Sequence, residues 1–187
     1  MYAKLRACLT IFFISALTYS LSCAALPYNY ESLMKETYLC NFSRLMTWPN
    51  SAFESLHAPI RICVLGKTSF VEDFDHRVKE QKINGRAIKV QHLSDLTQVN
   101  TCHTLFISQS ETEKLAGILA YTQQYPILTV AHIDDFAVQG GMIQFYELRN
   151  TIHFLVDYQR VGEAGITISI DLFRDNFSIK SICFASI

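Results

Sequence analysis

Tyr30, Leu33, Met34, Tyr38, Phe42, Leu45 and Met46 recur at helical spacing on one stripe, with Glu31, Lys35, Glu36 and Arg44 elsewhere. That pattern predicts an amphipathic helix packed on a core and ended by Trp48-Pro49. The next apolar run, Ile60 to Gly66, reads as a strand, and Ser69 with Glu72 forms a capping-box spacing ahead of Val71, Phe74 and Val78. A helix is expected there. Asn84-Gly85 turns into a second strand, Ala87 to Leu93, and Cys102 to Ile107 is a third. Ser110 and Glu113 repeat the capping box before Leu115, Ile118 and Leu119; Tyr125-Pro126 closes that helix ahead of the strand Ile127 to Val130. Strands alternating with helices of this length imply an α/β fold with a mostly parallel sheet flanked by helices.

Past Val130 the period changes. Asp134 to Val138 reads as a short helical turn stopped by Gly140-Gly141. Met142 to Leu148 and Thr151 to Asp157 then flank the tight turn Arg149-Asn150. This is an antiparallel hairpin with Ile143, Phe145, Ile152, Phe154 and Val156 on one face. Helices around Tyr158 to Ala164 and Ile170 to Asn176 complete the fold, and Phe177 to Ile187 is apolar and unassigned.

The N-terminus changes the setting in which this fold must be read. Lys4 and Arg6 precede an apolar run centred on Leu9 to Leu17, and Ser20-Leu21-Ser22-Cys23-Ala24-Ala25 follows as a small-residue stretch. These are the three regions of a secretory signal peptide, with cleavage expected after Ala24 or Ala25. The competing readings are an uncleaved anchor, for which the apolar core is short, and a lipoprotein using Cys23, where Ser20 stands in place of the usual Leu. Loss of residues 1–24 lowers the basic count from 16 to 14 against 17 acids and leaves about 163 residues, enough for one domain with a proper core, 25–187. Half the chain is apolar and 18% is charged, which excludes a disordered protein, and with no basic cluster nucleic acid is not an expected partner.

Catalytic patterns fail on physical grounds. Gly66-Lys67-Thr68 follows a strand and precedes a helix, but Arg61 occupies the place of the first glycine of a phosphate loop. No G-x-G-x-x-G occurs, so a dinucleotide site lacks its fingerprint. No two of the six histidines lie at the spacing that puts both on one metal, and His132-Ile133-Asp134-Asp135 is a weak ligand set because Asp134 serves better as a helix cap. Cys102 and His103 are adjacent on a candidate strand and point to opposite faces, so the imidazole could not take the thiol proton. No enzyme activity, cofactor or metal is expected. The sequons Asn41-Phe42-Ser43 and Asn176-Phe177-Ser178 are treated as chance matches, the first because it sits in a packed helix.

Cys63 and Cys102 each sit at a candidate strand, and in an exported α/β domain such a placement favours a structural bridge over an active-site thiol. Cys40 and Cys183 remain, to pair or to stay as buried thiols; four cysteines allow three connectivities.

The order of motifs resembles the YfiR family of bacterial periplasmic proteins. The resemblance rests on residues 35–42 with Trp48-Pro49, residues 62–66, Asn84-Gly85-Arg86 with residues 87–90, residues 102–107 and residues 126–130. It continues through Phe136-Ala137 with Gly140-Gly141-Met142-Ile143, Ile152-His153-Phe154, and Ala164-Gly165-Ile166 with Ile168-Ser169, and so spans nearly the whole mature chain. The resemblance implies a Rossmann-like fold, a dimer, and the family bridge at Cys63 and Cys102. It also implies a non-catalytic periplasmic regulator that holds an inner-membrane diguanylate cyclase inactive, releases it under envelope or redox stress, and so limits cyclic-di-GMP signalling and biofilm formation. Asp157 stands where the family carries Asn, the tail from Phe177 extends past the usual end, and a second bridge that some members have near the Gly140 hairpin has no cysteines here.

Two functions from different classes follow. One is inhibitory binding to the periplasmic domain of that cyclase; the other is a sensor or carrier for a cell-wall fragment or small ligand held at the carboxyl ends of the parallel strands. For the first, the hairpin with its preceding glycines is the expected partner or dimer surface. Its residues are Gly140, Gly141, Met142, Ile143, Tyr146 and Leu155, with Met142, Tyr146 and Leu155 on the face opposite Phe145 and Phe154.

Overall fold

A computed structural model describes residues 30–68, 71–149 and 151–170. The first helix, α1 (Tyr30–Leu45), forms over the expected stripe, but every residue from Glu36 to Ser43 is buried, so its middle is covered all round rather than on one apolar side. Thr37 and Ser43 return their hydroxyls to the Leu33 and Leu39 carbonyls one turn back, so their polar groups are satisfied inside the helix. A short strand, β1 (Met46–Thr47), follows. Ser43 and Thr104 share a buried hydroxyl contact of 2.8 Å that ties α1 to the sheet.

The main sheet has seven strands. They are β2 (Ile60–Leu65), β3 (Lys82–Ile83), β4 (Arg86–Leu93), β5 (Thr104–Ile107), β6 (Leu128–Ala131), β7 (Ile143–Leu148) and β8 (Thr151–Val156), in the order β3-β4-β2-β5-β6-β7-β8. Strands β4, β2, β5, β6 and β7 are parallel to their neighbours, while β3 and β8 return antiparallel at the two edges. The α/β expectation, with its C-terminal hairpin, is met.

Alternation along the central strands divides two cores. Ile60, Ile62 and Val64 of β2, Phe106 of β5, and Leu128 and Val130 of β6 meet α1, Phe74 and Val78 of α2 (Val71–Val78), and Val161 of α4 (Tyr158–Glu163). Cys63 and Leu65, with Leu105 and Ile107, face the other way onto Leu115, Ile118 and Leu119 of α3 (Leu115–Thr122). Every residue of β5 and β6 is buried, as expected for parallel strands covered on both faces.

Several elements differ from expectation. β3 and the pair formed by β1 with β9 (Thr167–Ile168) are two-residue strands, too short for any periodicity to show. The segment Gln109–Lys114 is a 3-10 helix capped by Ser108, whose hydroxyl accepts from the Ser110 N–H, so the expected Ser110 and Glu113 capping box does not form. Ser110 instead accepts from the Lys67 N–H at 2.9 Å. Ser69 of the earlier box, and all but the first residue of the expected helix Ile170 to Asn176, lie outside the described residues. Arg149 takes a positive φ of 52° in the hairpin turn, the conformation that a two-residue loop imposes.

Candidate interaction surface

The parallel sheet reverses its winding between β2 and β5, because β4 lies on one side of β2 and β5 on the other. In such sheets the crevice at the carboxyl ends of those two strands is the usual ligand site. Here Ser110 and Glu111 lie close over Gly66. Gly66 leaves β2 with φ +90, and a Cβ on it would stand 2.6 Å from the Ser110 hydroxyl and 2.8 Å from Glu111 Cγ. The Lys67 N–H is taken by Ser110 and its carbonyl by the Ser108 hydroxyl, so the backbone that a phosphate would need is already engaged. At the nearby edge, β3 covers Arg86 and Ala87, and beyond it Asp75 accepts from the Val90 N–H, which blocks strand addition there.

Cys63 and Cys102 are bonded, with Cα atoms 5.8 Å apart, and both are buried in the α3-side core. Cys102 precedes β5, closing the 3-10 turn Val99–Thr101, so the bridge runs from a strand face into the loop above it. His103 is likewise buried. Its Nδ1 accepts from the Arg61 N–H at 3.1 Å, and its ring stacks on Phe53 at 4.5 Å and meets Trp48 edge-on at 5.7 Å. Burial first, then the Arg61 and Arg86 charges, push the imidazole down to about 4 against a weaker pull from Ala52 and Glu54. Arg86 is itself fixed, lying 3.7 Å over the Phe53 ring and donating to the Ser55 and Ala58 carbonyls. The cluster braces the amino ends of the strands, with His103 Nδ1 turned to the Arg61 N–H and Nε2 buried.

The six residues expected at the partner surface separate. Gly140, Gly141, Met142 and Ile143 are buried, which corrects their placement there. A Cβ on Gly141 would stand 2.1 Å from the Phe136 ring, and the Met142 N–H donates to Thr129 Oγ1 at 3.1 Å, so this stretch is packed into the link between β6 and β7. Tyr146 and Leu155 are 40% and 50% exposed. They do share one face: Tyr146 is directly opposite His153 and stacks on it at 5.5 Å, and Leu155 is opposite Gln144. Leu148, on the same alternation, and Tyr158, just after β8, are also exposed. The other face carries Phe145 and Phe154, which pack on Tyr38 and Phe42 with ring centroids 4.9 to 5.9 Å apart. The outer side of the hairpin is a mixed face, in which Tyr146, Leu148 and Leu155 are the exposed apolar side chains among Gln144, Thr151 and His153.

Asp157 caps α4 by accepting from the Arg160 N–H at 3.0 Å and pairs with the Arg160 guanidinium at 3.2 Å, a position that Asn would cap equally well. Asn41 is buried, so its sequon is closed to modification, while Asn176 lies outside the described residues. Among the described residues no group of three or more His, Cys, Asp or Glu side chains is placed to hold a metal ion, and no helix is long and apolar enough to cross a membrane.

No curated protein matches the chain significantly. A family model described as YfiR/HmsC-like does match, over residues 32–174, which takes in α1, the seven-stranded sheet, the Cys63–Cys102 bridge and the hairpin. The family is one of periplasmic regulatory proteins associated with diguanylate cyclases, and on this span the chain belongs to the YfiR/HmsC-like family.

Proposed function

We propose that this chain is a non-catalytic periplasmic inhibitor of a membrane-bound diguanylate cyclase, exported by a cleaved signal peptide and acting as a homodimer. The observation that carries the reading is the family match across the whole described α/β body. Its contact with the cyclase's periplasmic domain is assigned to the outer face of the hairpin, centred on Tyr146 and Leu155. Three things support that assignment: the exposure of both side chains, their shared face, and the aromatic packing behind them. The close approach of Ser110 and Glu111 to Gly66 weighs against the ligand-carrier reading, since a small molecule laid on that backbone would have to displace them.

Deleting the gene should raise cellular cyclic-di-GMP and surface attachment. A version lacking residues 1–24 should fail to restore the wild-type level, because it never meets the periplasmic side of its target. The double variant Tyr146→Glu with Leu155→Glu should keep its melting temperature and fail to pull down the cyclase domain. An unchanged cyclic-di-GMP level in the deletion strain, with the cyclase expressed, would overturn the inhibitor reading; wild-type capture by the double variant would move the contact elsewhere. Light scattering on the purified protein tests the dimer.

A further inference from the structure

Helix α1 carries a cysteine that the proposed function does not use. Cys40 is fully buried against the main core and is disulfide-bonded. The other two cysteines among the described residues, Cys63 and Cys102, are bonded to each other. The partner of Cys40 therefore comes from Cys8, Cys23 and Cys183, all outside the described residues. Cys8 and Cys23 belong to the leader that export removes.

The course of the chain after α4 points to Cys183. Strand β9 pairs antiparallel with β1, so the chain runs back past the end of α1, and the Ser169 N–H donates to the Leu45 carbonyl at 2.8 Å. Cys40 lies one and a half turns up that helix, about 7 Å along its axis. The thirteen residues that follow Ile170, ending at Cys183, can span up to about 45 Å, well beyond the helix length of about 24 Å. Composition agrees: nine of the seventeen residues from Asp171 to Ile187 are apolar, a segment that gains by being held against a core.

We propose that the exported chain carries a second disulfide, Cys40–Cys183, which fastens the C-terminal segment to α1. The inference rests on the export reading. The two thiols release two protons and two electrons as the S–S bond forms, and a disulfide-bearing oxidoreductase of the exported compartment accepts both and leaves as a dithiol. The bridge anchors the helix whose Tyr38 and Phe42 brace the hairpin from behind.

The test is a peptide map of protein taken from the periplasm, alkylated in denaturant without reduction and digested with trypsin. The expected product links Glu36–Arg44 to Ser181–Ile187. In the Cys183→Ser variant Cys40 should become alkylated, with the Cys63–Cys102 peptides still joined and limited proteolysis after Ile170 accelerated at least tenfold. Alkylated Cys40 in the wild type, or a link from Cys40 to Cys23, would overturn the proposal. The map reads the bridge whether or not the cyclase is bound, so its failure and that of the inhibitor reading are separable by the cyclic-di-GMP assay.

Discussion

His103 should make this fold sensitive to mild acid. The imidazole is 2% exposed, accepts the Arg61 N–H at Nδ1 and so carries its proton on Nε2 when neutral. Protonation would put a hydrogen on Nδ1 facing that same N–H and set a third cation beside Arg61 and Arg86. The folded-state proton affinity is depressed from the ordinary 6.5 to about 4, so the unfolded chain takes the proton first. The stabilising effect is full above about pH 6.5 and drains as pH falls toward about 4. With a tenfold difference in affinity worth about 1.4 kcal/mol, the loss is roughly 2 kcal/mol by pH 5 and roughly 3 kcal/mol below pH 4. Stabilities of small domains are about 5–15 kcal/mol, so this is a large share. Urea unfolding of the wild type and of His103→Asn, which keeps an acceptor for Arg61, should show a slope between pH 7 and 4.5 in the first that is flatter in the second. Parallel slopes would refute the reasoning, as would an imidazole that titrates near 6.5 in the folded protein by NMR.

Arg77 donates through Nε at 2.9 Å to a Glu36 carboxylate that is 1% exposed, and burial pushes that carboxyl up even against the arginine. Arg77→Met should therefore cost about 3–5 kcal/mol at pH 8 and less at pH 4.5, where Glu36 can be neutral, and Glu36→Gln should recover part of the loss in the double variant by urea titration. Gly141→Ala should lower the melting temperature by about 5–10 °C, because its Cβ would fall on the Phe136 ring. Replacing Cys63 and Cys102 by Ala should cost roughly 4 kcal/mol in the chain-entropy account, and the native bridge should resist reductant until the protein unfolds, read by alkylation against calorimetry, since both sulfurs are buried.

Periodicity was informative wherever an element was long enough to show it. The alternation Ile143, Phe145, Ile152, Phe154, Val156 and the apolar runs at β2, β5 and β6 each report burial directly, because one face or both faces of those elements meet a core, whereas the stripe on α1 marks only part of a helix buried all the way from Glu36 to Ser43. β1, β3 and β9 escaped because two residues carry no period, and they form only where the end of α1 or the Asn84-Gly85 turn supplies a partner. Ser110 departs from its local pattern for a different reason. A capping box is a local pattern, while the Ser110 hydroxyl is claimed by Lys67, 43 residues away.

The same division governs the surface. Tyr146 and Leu155 could be placed from parity alone, since a hairpin with one face on α1 must turn the other outward. Met142 shares the parity of Tyr146 but precedes β7, where the Thr129 hydroxyl and the Phe136 ring, rather than the pleat, decide its direction. The glycine pair looked like an exposed stop, yet it exists so that Phe136 can pass beneath Gly141. His103 was legible only in what it could not do with Cys102; its actual environment comes from Trp48, Phe53 and Arg86, brought together by the strand ends. A regulator of this kind needs neither a strained residue nor a convergent set of titratable groups, which are the features that announce an enzyme in sequence. Its function can reside in an exposed face such as that of Tyr146 and Leu155, and such a face is marked only by side chains that the packing behind them leaves outside.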